Sequence, residues 1–178
     1  MSISIGERVI VRDQIVITLF RLLQEELLYP SEGSRSTAGH RFEERAADVV
    51  FERLRSLDLG FQVYLPRHTL PSLPTLSGIS HQFDVVVQQN SFYHIIECKK
   101  RGAAEIDQLL SFSAKLLDYV LGARVECLDV SIRGIFLTTA AKVRDTIRQY
   151  ALAFGITIVA VDLPPCRIHA ERSPRRHT

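Results

Sequence analysis

The sequence feature that most constrains the fold is a pair of apolar, β-branched runs separated by a short polar segment. Residues 83–87 and 92–96 flank Gln-Gln-Asn-Ser, a pattern that predicts two strands joined by a turn. Asp84 lies inside the first run, and Glu97 and Lys99 follow the second. Because side chains alternate along a strand, Glu97 and Lys99 point to the same face. If Asp84 lies at the same end of the facing strand, two carboxylates and an ammonium converge on one patch.

Such a patch suits a divalent cation. Mg²⁺ keeps several waters and takes one or two protein carboxylates, so Asp84 and Glu97 are candidate ligands. The backbone carbonyl of Cys98 is a candidate third oxygen ligand. Lys99 would then lie beside the metal's waters, where it could orient or deprotonate one of them for attack on a phosphodiester. Spacing alone equally allows an ordinary salt bridge between Lys99 and one carboxylate, since Glu-x-Lys is common on exposed strands.

The order of these residues resembles that of a known nuclease superfamily. Asp, a hairpin, Glu-x-Lys and then a helix carrying Gln are similar to PD-(D/E)xK, or restriction-endonuclease-like, proteins, and most of all to Mrr-like restriction endonucleases. The resemblance covers residues 39–162, with Phe83 where the name-giving Pro would stand. It implies that Asp84 and Glu97 hold metal and that Lys99 is the catalytic lysine.

Two further segments carry the resemblance. Gly-His-Arg-Phe-Glu, at residues 39–43, resembles the helix motif that places a glutamate near the metals, which implies a catalytic role for Glu43. Gln108, with Phe112 four residues later, resembles the Gln-x-x-x-Tyr element of some branches and implies that Gln108 is also catalytic. Taken as residues alone, Glu43 could be an ordinary helix-border residue and Gln108 could face solvent.

Basic residues near the predicted site are candidates for DNA phosphate contacts. Lys100 and Arg101 follow the catalytic strand, Lys115 lies on the next helix, and Arg67 lies in a long irregular connection over residues 66–80. Phosphate binding needs such groups, because Lys and Arg neutralise the backbone and release counterions. A net charge of +2 is too small to indicate nucleic acid by itself, and an ordinary solvated surface explains basic residues equally well.

The rest of the chain alternates helical and strand patterns. An amphipathic helix is predicted over residues 12–28, with Glu25 and Glu26 on its wet side and packing within the chain as the safer expectation. A linker follows at residues 31–38. The remaining elements are helices over 40–57 and 103–121, strands over 61–65, 132–138 and 156–161, and a helix from Thr138 or Thr139 to Phe154.

The third helix is predicted to have distinct apolar and polar sides. A polar ridge of Glu105, Gln108, Phe112 and Lys115 is expected beside the core face, with Gly122 as the C-cap. The expected core residues are Ile106, Leu109, Leu110, Leu117, Val120 and Leu121.

This order predicts an α/β fold with a mixed β-sheet flanked by helices on both faces. The restriction-endonuclease-like resemblance implies the same fold. The prediction is a single nuclease-like domain over residues 1–178, made of a helical appendage at 1–30, the core at 39–162 and a basic tail at 163–178. The tail, rich in arginine, is predicted to lack stable structure.

The cysteine content and the apolar runs indicate the cellular compartment in which the protein is expected. Three cysteines form no Cys-x-x-Cys pair, which argues against a disulfide framework or a zinc knuckle and favours a reducing cytoplasm. No signal peptide is visible, and the apolar runs fall short of the roughly 18 residues that a membrane helix needs. The expectation is a protein of the cytoplasm with no membrane partner.

Together these patterns favour a Mg²⁺- or Mn²⁺-dependent DNA endonuclease of a restriction or repair type. Three alternatives remain open: a Holliday junction resolvase-like homodimer, a non-catalytic DNA-binding or assembly module with the same fold, and a structural domain whose Asp-Glu-Lys cluster is a buried ion pair. The last alternative predicts no dependence of stability on metal.

Overall fold

The computed structural model describes residues 5–29, 35–57, 61–64, 70, 73–100, 106–140 and 142–161. Within these residues four helices and five strands follow one another along the chain. In order they are α1 (Ile5–Leu28), α2 (Arg35–Arg55), β1 (Gln62–Tyr64), β2 (Val85–Gln89), β3 (Phe92–Lys99), α3 (Ile106–Val125), β4 (Ser131–Thr138), α4 (Asp145–Ala153) and β5 (Ile156–Val159). The predicted sequence of elements is confirmed.

The strands form one mixed sheet in the order β1-β2-β3-β4-β5. β1, β2 and β3 pair antiparallel, whereas β4 runs parallel to β3 and β5 runs parallel to β4. Helices α3 and α4 are the crossovers that parallel pairing requires. The predicted fold class, a mixed α/β sheet with helices on both faces, is confirmed.

The first face of the sheet is covered by α1 and α2. Their apolar stripes, with Ile15, Leu19, Phe42 and Val50 among their buried residues, close one core against the sheet. The strand residues on this face include Val85, Val87, Ile96, Cys98, Ile135 and Leu137. The expectation that the N-terminal helix packs within the chain is confirmed.

The second face is covered by α3 and α4. A second core joins helix residues such as Leu109, Phe112 and Ile147 to strand residues such as Val86 and Ile95. Phe112 packs edge-on against Phe83, with ring centroids 6.4 Å apart. This face carries the odd-numbered residues of β3 and therefore also Glu97 and Lys99.

The turn between β2 and β3 is shorter than predicted. Gln88 and Gln89 belong to β2, so the connection is Asn90-Ser91, and Asn90 has a φ of +53°. Asn tolerates the left-handed region better than most residues, which suits a two-residue hairpin turn. β2 begins and ends two residues later than predicted, whereas β3 begins at Phe92 as predicted and continues to Lys99.

The core face predicted for α3 is wrong in part. Leu109 is buried as predicted, but Ile106, Leu110 and Leu117 are exposed, and the other buried residues include Phe112, Leu116 and Tyr119. Both sides of this helix carry leucines, so apolar spacing alone does not select between them. The large Phe112 and Tyr119 rings fill the space above the sheet, and the predicted polar ridge is interrupted by the buried Phe112.

Gly122 is not a helix cap, because α3 continues to Val125. A Cβ atom at Gly122 would lie 2.4 Å from the carbonyl oxygen of Pro74 and 2.8 Å from the Leu76 nitrogen. The glycine therefore allows the backbone before Asp84 to cross α3 closely. A hydrogen bond of 3.1 Å from the Leu76 N–H to the Asp118 carbonyl fixes the crossing.

Several element boundaries differ from prediction. α1 begins at Ile5, and α2 begins at Arg35, inside the predicted linker. α4 begins at Asp145 with Arg144 at its N-cap, so neither Thr138 nor Thr139 caps it, and Thr138 is the buried last residue of β4. Its Oγ1 accepts a hydrogen bond of 3.2 Å from the Ala140 N–H instead.

The basic tail predicted at 163–178 lies outside the described residues, and the domain boundaries stay predictions. None of the described helices combines the length and apolar character needed to cross a membrane.

Candidate active site

The hairpin register brings the two predicted metal ligands together. Val85 pairs with Ile96, and continuing that register by one residue places Asp84 opposite Glu97. Residues directly opposite in an antiparallel pair project from the same face. Asp84 lies just before β2. Glu97 lies two residues before the end of β3, at the edge of the second core.

Lys99 links the two carboxylates. Its Nζ lies 2.6 Å from Glu97 Oε1 and 3.9 Å from Asp84 Oδ2. All three side chains are at least three-quarters buried. The predicted convergence of two carboxylates and one ammonium is therefore the observed geometry, while the chemistry assigned to it stays a prediction.

Asp84 is held by the backbone of the facing strand. Its Oδ2 accepts a hydrogen bond of 2.7 Å from the Cys98 N–H. Burial and then the Glu97 charge raise the pKa of Asp84 to about 7, against the opposing effects of the Cys98 N–H and Lys99. A carboxyl that protonates near neutrality lacks a counter-charge sufficient for its environment.

The side chain and the backbone of Cys98 serve opposite faces of the sheet. Its side chain lies in the first core, and burial raises the pKa of the thiol well above its ordinary value, so the thiol is neutral. Its backbone N–H is the donor to Asp84. The Cys98 carbonyl as a metal ligand stays a prediction.

Lys99 is a charged ammonium in this setting. Burial alone would lower the pKa of Lys99, but the charge and hydrogen bond of Glu97, together with Asp84, raise it above its ordinary value. Lys99 therefore serves as a fixed positive charge rather than as a base while both carboxylates surround it.

Glu97 has one oxygen without a hydrogen bond. Only 7% of the residue is exposed, and Oε2 finds no hydrogen-bond partner in the described part of the chain. On the α3 side, the Lys115 Nζ lies 3.9 Å from Oε2. A buried carboxylate oxygen with no donor is costly unless a ligand fills the gap.

Lys115 belongs to the site itself rather than to its surroundings. It donates a hydrogen bond of 3.3 Å to the Gln82 carbonyl, and its Nζ lies 5.8 Å from the centre of the Phe83 ring. Both contacts are with the residues directly before Asp84. The sequence predicts Lys115 only as a phosphate contact, because helix spacing does not reveal which strand end the lysine approaches.

Glu43 lies on α2 at the rim of the same site. Its negative charge contributes to the raised pKa of Asp84. Its Oε2 lies 3.6 Å from His40 Nδ1, and three-quarters of its side chain is buried, whereas the neighbouring Glu44 is exposed. Gln108 is half-buried in the first turn of α3. The catalytic roles of Glu43 and Gln108 stay predictions.

Lys100 is engaged by a carboxylate that the sequence analysis placed in solvent. Glu26 of α1 is only 4% exposed and forms ion pairs with Lys100 Nζ and with Arg45 Nη1, the latter at 2.6 Å. The expected wet position of Glu26 is therefore wrong. The two cations that pair with Glu26 lie 19 and 74 residues away in the sequence, so no local pattern predicts that this carboxylate is buried.

The remaining predicted DNA contacts are not located by the structure. Arg67 and Arg101 lie outside the described residues, and the expectations for both stay predictions.

The carboxylate oxygens of the site are ligands that suit a divalent ion. Among the described residues, no group of three or more His, Cys, Asp and Glu side chains is gathered around a possible metal position. Mg²⁺ does not need one, because one or two carboxylates and several waters complete its shell. Asp84 and Glu97 supply those carboxylates, and the unpartnered Glu97 Oε2 is an open ligand position.

Comparison with known proteins gives a likeness of fold. No protein-family model matches the chain, and no curated protein matches its sequence. A crystal structure of AF1548, a protein of unknown function, superposes with a TM-score of 0.51 at 16% identity over 71% of this chain. The chain spans 60% of the length of AF1548, so the two share a core rather than a whole architecture.

Two nucleases also appear among the structural neighbours. A repair endonuclease from Pyrococcus abyssi gives a TM-score of 0.41 at 18% identity, over 75% of this chain and 49% of its own. The small subunit of the heterodimeric restriction endonuclease R.BspD6I gives a TM-score of 0.40 at 12% identity, over 81% of this chain and 72% of its own. Likenesses this distant carry no argument about activity and assign no residue a role.

Proposed function

We propose that the chain is a metal-dependent DNA endonuclease of the PD-(D/E)xK, Mrr-like type that hydrolyses phosphodiester bonds. The observation that carries the proposal is the Glu97 carboxylate, which is buried with Oε2 unpartnered while Oε1 is bound by Lys99. A purely structural ion pair would have both oxygens satisfied, since a half-satisfied buried carboxylate lowers stability.

The ligand set that we propose for the metal is Asp84, Glu97 and the Cys98 carbonyl. Mg²⁺ or Mn²⁺, when bound, lowers the pKa of a water and neutralises charge on the phosphodiester. The Cys98 N–H keeps Asp84 turned toward Glu97. Glu43, from the neighbouring helix, holds a water at the outer side of the site.

Lys99 has the role of orienting the attacking water and stabilising charge on the phosphoryl oxygens. Its Nζ already lies between the two carboxylates, so it needs only a small movement to face a phosphate placed above them. Gln108, at the N-terminal turn of α3, would contact the substrate backbone. Fixed donors of this kind stabilise a transition state because they need no reorganisation during the reaction.

The DNA substrate is proposed to be held by Lys115, Lys100, Arg101 and Arg67, with the arginine-rich tail as a further contact. Each phosphate neutralised adds about −0.9 to the slope of log K against log salt. Lys100 is paired with buried Glu26, so we expect Lys100→Met to change that slope less than Lys115→Met does. Filter binding between 50 and 300 mM salt, roughly the range where such slopes are linear, measures both.

A direct test is cleavage of supercoiled plasmid with Mn²⁺. Asp84→Asn, Glu97→Gln and Lys99→Met each remove one charged group at nearly constant volume and should lower the cleavage rate by about 10³-fold. The matched control is Glu126→Gln, an exposed glutamate beyond the far end of α3, which should cut at the wild-type rate. Circular dichroism should show all four variants folded.

Cleavage by Glu97→Gln at the wild-type rate would refute the assignment. If the wild type itself leaves DNA intact with Mg²⁺ and with Mn²⁺, the non-catalytic DNA-binding module is the better description. Comparing a four-way junction with a linear duplex of the same sequence separates a restriction type from a resolvase, which would act as a homodimer. A reducing, cytoplasmic compartment is part of the proposal, since Cys127 is an exposed free thiol.

A further inference from the structure

The Glu97 carboxylate lies between two ammonium groups. Lys99 Nζ is 2.6 Å from Oε1, and Lys115 Nζ is 3.9 Å from Oε2. The second distance is too long for a hydrogen bond, so Oε2 faces a positive charge without being satisfied by it. One lysine comes from the same strand as Glu97 and the other from α3, so the helix brings a cation to the site independently of the Glu-x-Lys motif.

The position of Lys115 is fixed by the structure around it. Its Nζ donates to the Gln82 carbonyl and lies over the Phe83 ring. Phe83 in turn is only 1% exposed and packs against Phe112 and Tyr119 of the same helix. Less than a third of the Lys115 side chain is exposed. A mobile surface lysine would have neither the carbonyl acceptor nor the ring.

Charge limits how many metal ions such a site can hold. In two-metal nucleases the ions lie roughly 3.5–4 Å apart and share carboxylates. Here a second ion would have to approach Glu97 Oε2, where the Lys115 ammonium already lies. Two divalent ions and two ammoniums would face three carboxylates at most, those of Asp84, Glu97 and Glu43.

We propose that this site binds a single divalent ion and that the Lys115 ammonium supplies the positive charge that a second ion would otherwise bring to the phosphodiester. The inference rests on the proposed nuclease function and specifies how its centre is built. Lys115 is accordingly a catalytic residue that contacts the phosphate from the Oε2 side of Glu97. An ion held by Glu97 would leave the Lys115 ammonium beside the carboxylate, on the side that faces the substrate.

The test measures Mn²⁺ binding to the full chain. The loss of the free-ion signal in electron paramagnetic resonance reports how much Mn²⁺ is bound. The wild type should bind one Mn²⁺ per chain. Lys115→Met should also bind one, and about tenfold more tightly. This follows because an ammonium about 6 Å from a divalent ion in a water-like dielectric repels it by that factor. At saturating Mn²⁺ the same variant should cut plasmid about 10²-fold more slowly, since one fixed positive group is lost.

Tighter metal binding combined with slower cleavage distinguishes this role from a structural one, for which both properties would decline together. Lys115→Arg, which keeps the charge, should restore wild-type Mn²⁺ affinity and part of the cleavage. The matched control is Arg124→Met, an exposed cation on the same helix about 13 Å along its axis, which should change neither property.

Two Mn²⁺ ions per wild-type chain, or unchanged or weaker Mn²⁺ binding by Lys115→Met, would overturn the single-ion inference while leaving a cleaving wild type as a nuclease. A wild type that neither binds Mn²⁺ nor cuts DNA would instead remove the proposed function and this inference together. The binding measurement thus separates the two failures before any cleavage is compared.

Discussion

The Asp84 and Asp118 carboxylates both lie on the α3 side of the sheet, and their surroundings shift their pKa values in opposite directions. The Asp118 side chain accepts hydrogen bonds from the Ser77 N–H at 2.8 Å and the Ser77 hydroxyl at 2.5 Å, and its Oδ2 lies 2.7 Å from His81 Nε2. The Ser77 hydroxyl is the main cause of the lowered pKa of Asp118. Asp84 has one backbone donor and a neighbouring carboxylate, and its pKa rises to about 7.

The difference separates a carboxylate that holds the fold from one that is left poised for a ligand. Asp118 has its oxygens satisfied by the segment that precedes Asp84, so the Asp118 cluster (Ser77, His81 and Asp118) anchors that segment to α3. Asp84 lies at the end of the anchored segment, opposite Glu97 of β3, whose Oε2 is an acceptor that is still open. Stability provided by the first cluster offsets the cost of the second.

The largest effect that we expect is a stabilisation by Asp84→Asn that depends on pH. The pKa of Asp84 is raised from 3.8 to about 7 in the folded protein. Its contribution to stability is therefore full below pH 3.8 and is lost as the pH rises through 7. In EDTA, Asp84→Asn should unfold at higher urea than the wild type at pH 8.5, with a free-energy difference larger by about 3 kcal/mol than at pH 5.

Asp118→Asn is the comparison variant for that experiment, because the pKa of Asp118 is lowered and the sign reverses. It should destabilise the protein at neutral pH. A free-energy difference between Asp84→Asn and wild type that is the same at both pH values would contradict the account of Asp84.

The stabilisation of the fold by metal should depend on Asp84 and Glu97 and should not depend on the Asp118 cluster. At a hundredfold excess over Kd, Mn²⁺ should raise the free energy of unfolding of the wild type by about 2.7 kcal/mol. Glu97→Gln should lose this increment, and Asp118→Ala should keep it. Thermal melts with and without Mn²⁺ measure the three increments. Equal melting temperatures for the wild type in both conditions would favour the buried ion pair.

Removing the anchoring carboxylate should reduce stability without metal. Asp118→Ala breaks the contacts to Ser77 and His81 and should lower the free energy of unfolding by about 2 kcal/mol, since the group is partly accessible to water. Urea denaturation measures it, with the exposed Asp129→Ala as control. A loss no greater than that of the control would show that the Asp118 cluster does not anchor the segment.

The smallest effect concerns a single donor of that cluster. Ser77→Ala removes the hydroxyl that bonds to Asp118 Oδ2 but keeps the backbone N–H bond to Oδ1. We expect a loss of about 1 kcal/mol in urea denaturation. In Asp118→Ala the same substitution should cost almost nothing, because its partner is absent. Additive losses would show that Ser77 acts through another contact.

The part of the site that sequence predicts is the part built from local pattern. Alternation along the hairpin placed Glu97 and Lys99 on one face, and Asp84 follows from antiparallel register. Glu26 was misplaced, and the approach of Lys115 to Glu97 was not predicted, because the partners of both residues are distant in sequence. Periodicity tells which residues share a side of a helix, but not which of two apolar sides meets the sheet, as Phe112 illustrates.

The pairing of Glu26 with Arg45 and Lys100 has a consequence for where the chain can be shortened. Cutting near residue 30, a natural choice from the sequence, would remove a carboxylate that is almost fully enclosed. It would also uncover the hydrophobic side of α2. Lys100 directly follows Lys99, so the damage would reach the candidate active site through one peptide bond. A fragment beginning at α2 is therefore expected to aggregate, and minimal versions of this protein should retain α1.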